Sequence, residues 1–161
     1  MTARWLRSSS AGFTFVELIV ATAVMMILAS AALPLARVSV RRQRESELRY
    51  NLRQIRAAID RFHDMAQAGQ IASTEYQLGS EFYPPRLEVL VEGVTRANDA
   101  SGTKVKFLRR IPIDPITGRA DWGMRAYSDS PDSTSWGGQS VFDVYSKAEG
   151  LALDGTKYRD W

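Results

Sequence analysis

Between Phe13 and Ala36 the sequence runs for 24 residues with a single charged side chain, Glu17. A helix needs about 20 predominantly apolar residues to cross the hydrocarbon core of a bilayer. A helix buried in a soluble domain rarely stays apolar on every side for so long. The run therefore predicts a membrane-inserted helix. A cleaved secretory signal would have a shorter apolar stretch, about 7–15 residues, with its small-residue site afterwards. Here the small pair Ala11-Gly12 precedes the run. An uncleaved signal anchor accounts for everything except Glu17, since a carboxylate in a lipid-facing helix is costly and marks function by default. Against that stands a simpler explanation, that Glu17 lies near the segment's start and snorkels to the headgroups.

On this basis the chain divides into a short basic, Ser-rich leader (1–12), an apolar helix (13–36) and a polar domain (37–161). After the apolar run, Leu48, Leu52, Ile55, Ile59, Phe62 and Ala66 recur at spacings of 4, 3, 4, 3 and 4, which lines them up along one helical stripe. Gly69 is the expected stop. One helix from about Phe13 to Ala68 would be roughly 80 Å long. Pro34 should kink it or cause a local loss of helix, because proline lacks the amide donor and crowds the preceding turn.

Beyond the helix, 70–85 reads as a loop, Arg86–Val91 as a short helix ended by Gly93, and "RANDASGTK" as a polar turn. Three strands are expected, at Val105–Leu108, Trp122–Tyr127 and Val141–Ser146, separated by the turn-rich "IDPITGRAD" and "SDSPDSTSWGG". The fold class is therefore α+β: a long N-terminal helix packed on a small antiparallel sheet, with the apolar stripe against one sheet face.

Eight arginines fall between Arg37 and Arg61, but Glu45, Glu47 and Asp60 are interspersed, and the formal net charge is only +3. That pattern describes a mixed helix surface more than a nucleic-acid stripe. The chain has no cysteine, which excludes disulfides and thiol chemistry. The one histidine, His63, has no convergent partners visible in the sequence, and no nucleophile–base pair or phosphate loop is evident, so no enzymatic activity is expected.

Read together, the leader and "GFTFVEL" resemble the N-terminus of type IV pilin-like proteins. The resemblance implies that a prepilin peptidase cuts between Gly12 and Phe13, that Phe13 is then N-methylated, and that Glu17 serves subunit assembly. Pro34 falls where many members carry a helix-loosening proline. Cleavage would expose an α-amine at Phe13 one helical turn from Glu17. Glu17 of one subunit could neutralise that amine in its neighbour, offsetting both desolvation penalties. More arginines follow the apolar run than precede it, contrary to the positive-inside rule for a cytoplasmic N-terminus. The orientation expected here rests on the resemblance.

Farther along, "YPPRLEVLVEG", "FLRRIPIDPITG", "DWG" and "VFDVYSKAEGLALDGTKYRDW" are similar to the major pseudopilin of the type II secretion system. This implies an inner-membrane, single-pass subunit with a periplasmic domain. Such a subunit would polymerise with itself and other pseudopilins, meet prepilin peptidase, membrane lipid and the inner-membrane secretion platform, and carry no cofactor except a possible calcium ion. The resemblance places that ion after the last strand, with the Lys147 carbonyl, Glu149 and Asp154 as candidate ligands. Carboxylate and carbonyl oxygens suit calcium. The family's Gly-rich insertion is missing here, and the alternative is that Asp154-Gly155 is a plain turn.

Three functions are open at this stage. The first is a structural subunit of a periplasmic pseudopilus. The second is a type IV pilus or competence pilin with an adhesive or DNA-binding role. The third is a bitopic enzyme or receptor on an uncleaved anchor, which would leave Gly12 and Glu17 dispensable.

Overall fold

A computed structural model describes residues 12–77, 79–97, 99 and 102–161, with positions 31–35 described by backbone alone. The leader expected at 1–12 therefore lies outside the described residues apart from Gly12. The chain forms two compact units, Met1–Val40 and Arg41–Trp161.

Helix α1 (Phe15–Gln67) contributes to both units. Its start is capped by Thr14, whose carbonyl accepts from the Leu18 amide at 3.1 Å and whose hydroxyl accepts from the Glu17 amide at 3.2 Å. Its end is a Schellman motif: the Gly69 amide donates to the Ala66 carbonyl and the Gln70 amide to the Met65 carbonyl. Gly69 takes φ 67°, a conformation that glycine adopts without a Cβ penalty, as its position in the sequence suggested. There is no gap in the helix at Pro34, so the expected local loss of helix is not found. A proline deletes one intrahelical donor, and the turns on either side keep the helical path. The Pro34 side chain lies outside the described residues.

In the first unit, every described side chain from Gly12 to Ser30 is exposed. Among the described residues no helix is long and apolar enough to cross a membrane. The run expected to do so includes positions 31–35, whose side chains are outside the description.

In the second unit the stripe behaves as its spacing predicts. Leu48, Leu52, Ile55, Ile59, Phe62 and Ala66 are all buried, joined by Ala58. They pack in one core with Leu90, Val94, Phe107, Trp122, Val141 and Val144. Short helix α2 (Val89–Glu92) ends at Gly93.

The β structure departs from expectation. In place of one sheet, the described residues form two antiparallel ribbons of two strands each. The first pairs β1 (Val94–Thr95) with β2 (Lys104–Val105), extended by a bridge between Ile71 and Arg96. The second pairs β3 (Trp122–Arg125) with β4 (Asp143–Ser146), setting Trp122 against Ser146 and Arg125 against Asp143. The strand expected at Val105–Leu108 stops early because the Phe107 and Leu108 amides both turn to the Leu90 carbonyl. The one expected at Trp122–Tyr127 stops at Arg125 because the Ala126 amide bonds to Asp129 Oδ2 at 2.8 Å. At Val141, the amide goes to the Pro84 carbonyl and not to a strand.

Candidate functional site

The helix start is built from four residues. Gly12 has no atom within 4 Å of where a Cβ would stand. Among the described residues, neither packing nor backbone conformation therefore requires glycine there. Phe13 is 84% exposed. Thr14 and Glu17 have the Thr-x-x-Glu spacing of a capping box, a local signal that the sequence reading passed over. Only one half of that box is formed, from the Glu17 amide to the Thr14 hydroxyl. The Glu17 carboxylate sits in the first turn, where the helix dipole favours negative charge. It has no partner among the described residues.

Glu17 is unlike the other polar groups of the run. The Thr22 hydroxyl donates back to the Leu18 and Ile19 carbonyls at 3.0 and 2.9 Å, and the Ser30 hydroxyl to the Ile27 carbonyl at 2.7 Å. Such back-bonding satisfies a hydroxyl within its own helix. The Glu17 carboxylate makes no such bond among the described residues.

Of the seven arginines that α1 carries in the second unit, four turn toward the protein. Arg41 donates to Tyr158 Oη at 3.4 Å and to the Leu151 carbonyl. Arg49 bonds Asp154 Oδ2 at 2.7 Å while its guanidinium stacks 4.1 Å from the Trp161 ring centre. Arg56 reaches Asp143 Oδ1 at 2.6 Å, the Val144 carbonyl at 3.0 Å and the Trp161 main-chain oxygen at 2.7 Å. Arg61 donates to the Phe107 carbonyl at 3.2 Å. Glu45 is buried and accepts from the Leu153 amide and from Tyr158 Oη, each at 2.9 Å. Four arginines and one glutamate thus fasten the rest of the domain to α1. The sequence offered only their number, with no sign of their direction.

The three residues considered for calcium divide between clefts, Lys147 and Glu149 lining one and Asp154 bordering others. Lys147 extends to Asp121 Oδ1 at 2.6 Å. Glu149 is exposed and lines a cleft of about 540 Å³ with Lys147, Lys157 and Arg159. Asp154 borders different clefts, against α1. Both of its oxygens are taken: Oδ1 accepts from the Thr156 amide and hydroxyl, at 3.0 and 2.6 Å, and Oδ2 from Arg49. The Thr156 hydrogen bonds, reinforced by Arg49, hold the Asp154 carboxyl below its ordinary range. This arrangement does not fit a calcium cradle. No group of three or more His, Cys, Asp or Glu suited to a metal occurs among the described residues.

A second buried carboxylate was missed by sequence reasoning. Asp114, fully buried, accepts from the Ile116 and Thr117 amides at 2.7 and 3.3 Å and from the Ser146 hydroxyl at 2.5 Å. It ties the "IDPITG" turn to β4. His63, by contrast, stacks on Tyr83 with ring centres 4.4 Å apart.

Residues 7–33 match the prokaryotic N-terminal methylation motif. The chain therefore carries a type IV prepilin-like signal, and the match spans Gly12, Phe13 and Glu17. Comparison with curated proteins and with solved structures gave no match.

Proposed function

We propose that the protein is a pseudopilin, a membrane-anchored structural subunit that polymerises into a short periplasmic filament serving type II protein secretion. One observation carries this reading. Helix α1 begins at Phe15, just beyond the Gly12-Phe13 of the methylation motif, and Glu17, the one charged side chain of its apolar run, has no partner among the described residues. A signal anchor would need neither the glycine nor the carboxylate. Polymerisation needs both, one for the peptidase and one for the amine of the next subunit. The exposed apolar helix would sit in the inner membrane before assembly and form the filament core afterwards, with the remaining domain in the periplasm. Repetition of a heterologous contact gives an open helix.

On this reading the protein performs no chemistry itself. Its partners are copies of itself, other pseudopilins, prepilin peptidase, membrane lipid and the inner-membrane platform. The calcium ion implied by the pseudopilin resemblance is replaced by the Arg49–Asp154 pair as the tie between loop and helix. A fibre-forming pilus role shares the same N-terminal logic. A DNA-binding variant of it is disfavoured by Arg41, Arg49, Arg56 and Arg61, which are bonded within the domain.

Mass spectrometry of the mature protein tests the proposal. A chain beginning at Phe13 and carrying one added methyl group is expected. An intact 161-residue chain in the membrane would overturn the proposal.

A further inference from the structure

Asp154-Gly155 is the one Asp-Gly step in the sequence, and no Asn-Gly occurs. Such a step carries its own chemistry. The glycine amide nitrogen attacks the aspartate Cγ, forming an N–C bond and closing a succinimide ring as one water leaves. Water then reopens the ring at either carbonyl. One opening returns aspartate, and the other leaves isoaspartate, in which the main chain runs through the side chain. One water is lost and one regained, so no further reactant is needed. Glycine hinders the attack least, and nothing lies within 4 Å of where a Gly155 Cβ would stand. The Asp154 side chain is 46% exposed, so water reaches it. Neither the sequence nor burial protects this turn.

Its hydrogen bonds do. The attack needs a free Gly155 amide and a neutral carboxyl group, because an ionised one resists a nucleophile. The Gly155 amide is committed to the Ala152 carbonyl at 3.0 Å. The carboxylate is committed at both oxygens, Oδ1 to the Thr156 amide and hydroxyl and Oδ2 to Arg49. Bonds to a charged acceptor are roughly twice as strong as neutral ones, and these favour the ionised form while fixing its orientation. Thr156 is itself held, since its hydroxyl accepts from Trp161 Nε1 at 2.6 Å. The Trp161 ring in turn carries the Arg49 guanidinium, 4.1 Å from its centre. Arg49 is the member of this set that α1 supplies, from 105 positions away.

We propose that Asp154-Gly155 is a latent isomerisation site, kept shut by its contact with α1, that records any lasting release of the C-terminal turn. Isoaspartate puts one more carbon into the main chain and leaves the carboxylate directly on Cα. The clasp of Arg49 and Thr156 then cannot re-form as it was, and a reversible detachment becomes permanent. This inference stands on the geometry of the turn and is independent of the filament reading.

The test uses the full chain, aged at neutral pH in detergent micelles, with isoaspartate at position 154 counted by peptide mass spectrometry. Asp129-Ser130 and Asp132-Ser133, read in the same digest, report general unfolding. The native chain should isomerise slowly at 154, and the chain unfolded in urea much faster. Arg49→Gln should raise the native rate at 154 about tenfold, the worth of one hydrogen bond to a charged group, with both reference sites unmoved. Thr156→Val, which removes the hydroxyl donor, should do the same. Gly155→Ala should slow the reaction even in urea, marking the residue-155 amide as the nucleophile. Equal rates at 154 in native and urea-unfolded chain, or no rise specific to 154 in either variant, would overturn the proposal.

Discussion

Arg49 and Asp154, 105 positions apart in sequence, are joined by an ion pair of 2.7 Å between α1 and the turn at Asp154-Gly155. The pair occupies one carboxylate oxygen and Thr156 the other, leaving a turn closed by protein donors alone. The melting temperature should therefore be the same in millimolar calcium and in chelator. A rise with calcium that disappears in Glu149→Ala and Asp154→Ala would restore the metal.

The same turn gives a pH dependence with a definite sign. The Asp154 carboxyl is depressed in the folded chain by Thr156 and then by Arg49. The unfolded chain therefore binds the proton more readily, and stability falls with decreasing pH. The contribution is fully present above the ordinary carboxylate pKa and disappears as pH drops through the depressed folded value. Asp129, held low by the Ala126 and Gly137 amides, acts in the same direction. Asp154→Asn should flatten the acid limb of a pH–melting curve, and an unchanged limb would remove this turn from the account.

Ile55 lies at the centre of the buried stripe with no exposure. Ile55→Asp should cost about 5 kcal/mol, a core truncation plus a buried charge without a partner. That is enough to unfold a domain of ordinary stability. A fragment beginning near Arg37 should fold, and in it this substitution should abolish the cooperative melt. An unchanged curve would show that Ile55 does not face the core.

Gly123 supports the ring of Tyr145 on the opposing strand, where a Cβ would come within 2.2 Å of ring carbon. Gly123→Ala should destabilise by about 1–3 kcal/mol, since either strand or ring must move. The shift in melting temperature measures it. Tyr145→Leu should relieve much of the penalty in the double variant.

How far these features could be read from the sequence depended on their range. The stripe from Leu48 to Ala66 was legible because helical periodicity and burial report the same face. Gly69 and Gly93 were legible as stops for a local reason, the positive φ each adopts. The strands of the second ribbon were legible, since β3 and β4 fall within the expected Trp122–Tyr127 and Val141–Ser146, whereas β1 was not, because a strand of two residues carries no alternation to detect, and what ends β2 is a distant acceptor, the Leu90 carbonyl. Composition counted eight arginines but could not say which way a long side chain would fold. The rings of His63, Tyr83, Tyr127 and Phe142 meet because the tertiary fold brings them together.

For processing, Gly12→Leu should block maturation and leave the precursor in the membrane, while Glu17→Gln should still be cleaved. A normally processed Gly12→Leu chain on a gel would count heavily against the prepilin signal.

Assembly should separate from processing at Glu17. Glu17→Gln keeps the Thr14 cap, which uses the residue-17 amide and not its side chain. Insertion should therefore persist and polymerisation fail, as scored by cross-linked oligomers. Full-length polymer from Glu17→Gln would show that the carboxylate is merely tolerated.

The back-bonded hydroxyls of Thr22 and Ser30 bear on how such a helix changes surroundings. Because each hydroxyl is answered by its own helix, exchanging lipid for neighbouring helices requires no hydrogen bond to be broken or found. To that stretch the two environments are interchangeable, and traffic between them can run either way at little cost. On the proposed filament reading, Glu17 is the one side chain in the run whose circumstances would change on transfer, so its pairing with a neighbour's amine would decide whether a subunit stays in the membrane or leaves it.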